Sequence, residues 1–168
     1  MAYMKPLLNL LFLCTHNSAR SILGEIIANT RSEGKFTAFS AGSTPSGNVN
    51  KFAYRIASEF GYPQNHLSSK SWDEFSKQKH DVPKIDLVIT VCDSAAKEIC
   101  PIWPNSPGNV HWGFSDPSRE GNDDEETYAA FTSVAKELER RITKIARINI
   151  NNLSSKDLIS LFNEVKNK

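Results

Sequence analysis

Short apolar runs alternate along the chain with amphipathic stretches, the pattern of βαβ units built around a parallel sheet. Leu7 to Leu13 is apolar except for Asn9, as a central strand buried on both faces requires. Arg20 to Thr30 sets Ile22, Leu23, Ile26 and Ile27 on one helical face. Phe36 to Ser40 reads as a second strand, closed by Ala41-Gly42. Asn50 to Phe60 reads as a second helix, stopped by Gly61-Tyr62-Pro63. Trp72 to Gln78 then suits a short helix, Ile85 to Val91 a strand ending at Cys92, and Val110 to Phe114 a shorter strand. Glu125 to Ile148 is a long helix with Tyr128, Phe131, Val134, Leu138, Ile142 and Ile145 on one stripe. The acidic run Asp123 to Glu126 fits its N-terminus, where negative charge suits the dipole. After a break at Asn151-Asn152, Asp157 to Val165 forms a last short helix.

These elements predict an α/β fold, a flavodoxin-like open sheet of about four parallel strands with helices on both faces. The whole chain, 1–168, reads as a single domain with a C-terminal helical extension at about 151–168. Ligands of such sheets bind at the carboxyl ends of the strands. Cys14 and Cys92 both stand at such ends, so the two are expected to share a site.

Composition narrows the function classes. A net charge of +1 gives no field to attract nucleic acid or an anionic membrane, and neither partner is expected. The apolar run near the N-terminus is too short to span a bilayer, and it ends in Cys-Thr-His-Asn rather than a small-residue cleavage site. A cytoplasmic protein is the expectation. Three cysteines are too few and odd in number for a secreted disulfide framework, which leaves them as inert packing residues or as chemistry.

Spacing favours chemistry. Cys14 closes an apolar strand, five residues intervene, and Arg20 and Ser21 open a helix. Backbone N–H groups in such a turn, with the helix N-terminus, form a nest for an oxyanion. The loop Thr15, His16, Asn17, Ser18, Ala19, Arg20 and Ser21 is the expected substrate cradle. The same partial positive charge, with Arg20, is expected to lower the Cys14 pKa. Arg20 can grip two oxygens through its planar fork, Ser21 can donate to the sulfur, and Asn17 can brace the loop. His16 either touches the anion or is satisfied by solvent and backbone. A leaving oxygen needs a general acid, and Asp116, on the loop after the Val110 strand, is the candidate.

The loop Cys14-Thr15-His16-Asn17-Ser18-Ala19-Arg20-Ser21, with Asp116-Pro117, resembles the low-molecular-weight protein tyrosine phosphatase family. The run Val91-Cys92-Asp93-Ser94-Ala95-Ala96-Lys97-Glu98-Ile99-Cys100-Pro101, followed by His111-Trp112-Gly113, resembles the thioredoxin-coupled arsenate reductases built on that fold. The resemblance implies a relay. Cys14 attacks arsenate while Asp116 protonates the leaving hydroxyl, Cys92 attacks Cys14 and releases arsenite, and Cys100 attacks Cys92. It implies no tightly bound cofactor and an external thiol reductant, thioredoxin or else glutaredoxin with glutathione. Ser94 to Ile99 reads as a short helix between the relay cysteines. Helical rise from Cys92 to Cys100 covers about 12 Å and a disulfide needs Cα atoms roughly 4.4–6.8 Å apart, so this segment is expected to unwind when the two join.

Some of the resembled reductases bind potassium at positions matching Asn17, Glu25 and Ser40. Here their later acidic partner is replaced near Ser69, and no metal is assigned. A zinc site from two cysteines and two of His66, His80 and His111 matches no ligand spacing. The competing functions are a tyrosine phosphatase sharing Cys14, Arg20 and Asp116, and a non-catalytic oxyanion-binding regulator. Against the phosphatase, the Asp116 loop reads Asp-Pro-Ser-Arg-Glu-Gly and lacks the adjacent tyrosines that wall a phosphotyrosine slot.

Overall fold

The computed structural model describes residues 8–76, 81–97 and 107–167. Among them the strands β1 (Leu8–Cys14), β2 (Phe36–Gly42), β3 (Leu87–Thr90) and β4 (Gly108–His111) form one parallel sheet in the order β2-β1-β3-β4. β1 lies inside because nothing polar interrupts Leu10 to Leu13, whose side chains are fully buried. Burying each such side chain contributes roughly 1.5–3 kcal/mol. Asn9, the polar residue of the run, sits near the strand start, where its Nδ2 donates to Lys84 O at 2.7 Å.

Alternation along β1 divides the core. Leu10, Phe12 and Cys14 face a large cluster built with α1 (Arg20–Arg31), α2 (Lys51–Phe60), α4 (Asp124–Ala146) and α5 (Ser155–Glu164). Leu11 and Leu13 face a smaller cluster with Ala41, Phe75, Ile85 and Val88, covered by a 3-10 turn at Trp72–Phe75. Three helices, α2, α4 and α5, start where a side chain caps them. Asn50 accepts from Phe52 N, and Ser154 accepts from Asp157 N at α5. At α4 Asp123 accepts from Glu126 N, and Glu126 in turn accepts from Asn122 N. None of the described helices is long and apolar enough to cross a membrane.

Several boundaries differ from the sequence expectation. β2 runs through Ala41 to Gly42 because β1 keeps pairing with it up to Cys14. The strand expected over 85–91 is confined to Leu87–Thr90, and that expected over 110–114 lies at Gly108–His111. Trp112 and Phe114 continue the apolar pattern, but as side chains turned into the helical cluster. Trp112 stacks on Phe162, and its indole N–H donates to Phe162 O at 2.8 Å. Only a 3-10 turn stands in the 72–78 stretch, whose last two residues lie outside the described set. The helix expected over 94–99 is observed as α3 (Asp93–Lys97), and Ile99 and Cys100 lie outside the described residues.

Candidate active site

Cys14 is the last residue of β1, and Arg20 the first of α1. The loop between them wraps the sulfur. Asn17 N–H donates to Cys14 Sγ at 3.2 Å, and Ser21 Oγ lies 2.9 Å from it. Asn17 Nδ2 also donates to Ser21 Oγ, at 2.7 Å. With one lone pair thus used, the Ser21 hydroxyl is set to turn its hydrogen to the sulfur. No side chain caps α1, and the Ser21 N–H in its first turn is directed to the Cys14 sulfur.

The loop is held from outside by backbone bonds. Ser43, Thr44, Ser46 and Asn50 donate their N–H groups to the carbonyls of Cys14, Thr15, His16 and Ser18. Asn17 is fully buried at φ 48°, a left-handed conformation that asparagine tolerates better than most residues. Its Oδ1 accepts from Lys70 N at 2.9 Å. Gly42 makes this approach possible, since a Cβ there would stand 2.6 Å from Thr15 O. The His16 ring is exposed and its Nδ1 lies 3.3 Å from Thr44 O, a contact to backbone.

Cys92 stands on the neighbouring strand end, buried and free like Cys14. Thr15 Oγ1 lies 3.6 Å from its sulfur, and Ala95 N–H donates to it at 3.4 Å. The loop around the first cysteine thus touches the second through Thr15.

Arg20 joins the loop to the acid segment. Its Nη1 donates to Phe114 O at 2.9 Å, and Nη2 lies 3.8 Å from Asp116 Oδ2. Asp116 Oδ1 is fixed by the N–H and hydroxyl of Ser118, which leaves Oδ2 toward Arg20 and Arg119. The buried Arg141 guanidinium packs 4.8 Å from the Phe114 ring and sets this segment from below.

The Cys14 thiol corrects the sequence expectation of a depressed pKa. Burial pushes it up from the usual thiol value and outweighs the pull of Ser21 and of the Asn17 amide, and a neighbouring Cys92 charge pushes it further up. Arg20 is turned to Phe114 and Asp116.

Behind the loop, Glu25 is buried among Ser40 Oγ (2.8 Å), Tyr62 OH (2.9 Å) and Lys70 Nζ (3.8 Å). Burial pushes the Lys70 ammonium down from its ordinary pKa and Glu25 partly restores it. The positive charge beside Glu25 is therefore a lysine on the chain segment that also holds Asn17. Among the described residues no three His, Cys, Asp or Glu side chains cluster as a metal site.

The fold brings the loop 14–21, Cys92, Arg20 and Asp116 to one edge of the sheet, while Cys100 lies outside the described residues. Sequence reasoning missed Lys70, Arg141 and the contact of His111 with Asp93 at 2.9 Å. Lys70 and Glu25 are far apart in the chain, and no spacing announces their pairing. His111 carried a weak signal, an imidazole at the end of a strand beside the Cys92 strand.

The sequence pattern of the family described as low molecular weight phosphotyrosine protein phosphatase matches residues 9–157. An arsenate reductase of Halalkalibacterium halodurans is 36% identical over 135 residues, covering 80% of this chain and 92% of that protein. The solved arsenate reductase of Archaeoglobus fulgidus superposes with a TM-score of 0.59 at 27% identity, over 82% of this chain and 98% of that one. A thioredoxin-dependent arsenate reductase of Corynebacterium glutamicum superposes with a TM-score of 0.56 at 22% identity, over 85% of this chain and 62% of that one, a likeness of fold.

Proposed function

Because the chain belongs to the low molecular weight phosphotyrosine protein phosphatase family, we propose that it works as that family's arsenate reductase variety, reducing arsenate to arsenite. One observation carries the reading: a second free, buried cysteine, Cys92, is linked through Thr15 to the loop that holds Cys14. A phosphatase needs one nucleophilic cysteine, because water breaks the phosphocysteine. A reductase needs a second thiol to accept the first sulfur.

In the proposed reaction the loop amides and Arg20 bind the tetrahedral anion. Cys14 sulfur, as thiolate, bonds to arsenic. A hydroxyl leaves as water with the Asp116 proton. Cys92 thiolate then attacks Cys14 Sγ. The electron pair of the S–As bond stays on arsenic, so As(V) becomes As(III), arsenite departs, and a Cys14–Cys92 disulfide remains. Cys100 thiolate attacks Cys92 and frees Cys14, and an external dithiol reduces the Cys92–Cys100 pair. Thioredoxin is the proposed dithiol, with glutaredoxin and glutathione as the alternative. The whole chain is read as one cytoplasmic domain with no resident cofactor, and residues beyond about 151 extend it.

Assays of arsenite production with thioredoxin, thioredoxin reductase and NADPH, and of p-nitrophenyl phosphate hydrolysis, test this in wild type and Cys92→Ser. The variant is expected to lose arsenate turnover and keep weak hydrolysis. A phosphatase would hydrolyse the ester and make no arsenite in either protein, and a binding protein would do neither.

A further inference from the structure

The Cys92 segment is stapled by a single imidazole. His111 ends β4 opposite Thr90 of β3. Its Nδ1 lies 2.8 Å from Thr90 Oγ1, and its Nε2 lies 2.9 Å from Asp93 Oδ1. Thr90 precedes Cys92 by two residues and Asp93 follows it by one. A carboxylate offers only acceptors, so Nε2 carries a hydrogen toward Asp93 and Nδ1 can accept from the Thr90 hydroxyl. The ring therefore grips the chain on both sides of the sulfur.

Three further features fit this contact. Gly113 leaves room for it, since a Cβ there would stand 2.9 Å from His111 Nε2 and 3.0 Å from Asp93 Oδ1. Phe114 N–H donates to Val91 O at 3.0 Å, and Trp112 N–H to Thr90 O at 2.7 Å, fastening the same segment. Lys166, in the turn after α5, donates to His111 O at 3.0 Å. Cys92 directly precedes α3, whose first residue is Asp93, so a bond at Asp93 bears on where the sulfur is held.

We propose that Asp93 and His111 form a latch that holds Cys92 against the Cys14 loop, which makes His111 a positioning residue for the second thiol. Its effect on turnover rests on the arsenate reductase reading; its effect on Cys92 does not. The test uses full-length Asp93→Ala, His111→Ala and the double variant. Iodoacetamide labelling of Cys92, read by peptide mass spectrometry, should quicken about threefold in each single variant, the effect of losing one solvent-exposed ion-pair hydrogen bond. It should quicken no further in the double variant. The arsenite released in one turnover should slow by a similar factor, while p-nitrophenyl phosphate hydrolysis stays within twofold of wild type and Asp93→Asn, which keeps an acceptor, restores part of the loss. Unchanged Cys92 labelling overturns the latch. So does hydrolysis that falls in step with arsenite release, because it would mark a general loosening. A wild type that makes no arsenite defeats the functional reading instead, and labelling still decides the latch.

Discussion

Cys14 and Cys92 stand at the carboxyl ends of adjacent strands and are almost equally buried, 3% and 2% exposed, yet they are held in different ways. Around Cys14 the chain supplies two direct contacts from Asn17 and Ser21, and the loop is tied to four backbone donors beyond it. Around Cys92 the contacts are longer, from Thr15 and Ala95, and the chain on either side of it is fastened through His111. A sulfur that must receive an anion in one geometry needs a preorganised cradle, since reorganisation there would raise the barrier. In the proposed relay Cys92 first attacks Cys14 and is then attacked by Cys100, a task that suits a support able to let go.

Breaking each side of that comparison should give distinct results. Cys14→Ser removes the nucleophile shared by both reactions, and arsenite formation and ester hydrolysis should each fall by about 10⁴-fold or more. Arg20→Lys keeps the charge but loses the fork that spans Phe114 O and Asp116. Steady-state kinetics should show both activities reduced by roughly 10²-fold, with cradle and latch otherwise intact. Asn17→Ala removes the bonds to Ser21 and Lys70 and leaves an alanine in a left-handed conformation. Urea unfolding should show a loss of about 2 kcal/mol, and activity should drop on the order of tenfold.

The smallest expected effect is on titration. Burial already favours the neutral Cys14 thiol, and the Ser21 hydrogen bond opposes it. Ser21→Ala removes a stabiliser of the thiolate, so the pH midpoint of Cys14 alkylation should rise above that of wild type. A midpoint that falls would show that Ser21 does not donate to the sulfur.

Much of this site could be read from the chain because it is local. The apolar run ending at Cys14, the helix pattern from Arg20 and the five-residue gap between them define the cradle without any long-range information. What could not be read depends on pairs distant in sequence. Lys70 meets Glu25 across 45 residues, and His111 reaches Asp93 across 18. Trp112 and Phe114 misled the strand assignment because apolar periodicity reports burial, and their burial is against α5 and Arg141 rather than within a strand. The Cys14 pKa went the other way because a sequence motif displays the charges and dipoles but not the desolvation of the sulfur.

The central claim is that these two thiols, one cradled and one latched, exchange a sulfur bond when arsenate arrives. It is tested most directly in Cys100→Ser, which stops the relay after that step. On adding arsenate without reductant, non-reducing peptide mass spectrometry and arsenite analysis should find a Cys14–Cys92 disulfide and one arsenite released per chain. Arsenate left unreduced, or arsenite formed while Cys14 and Cys92 remain as separate thiols, would contradict it.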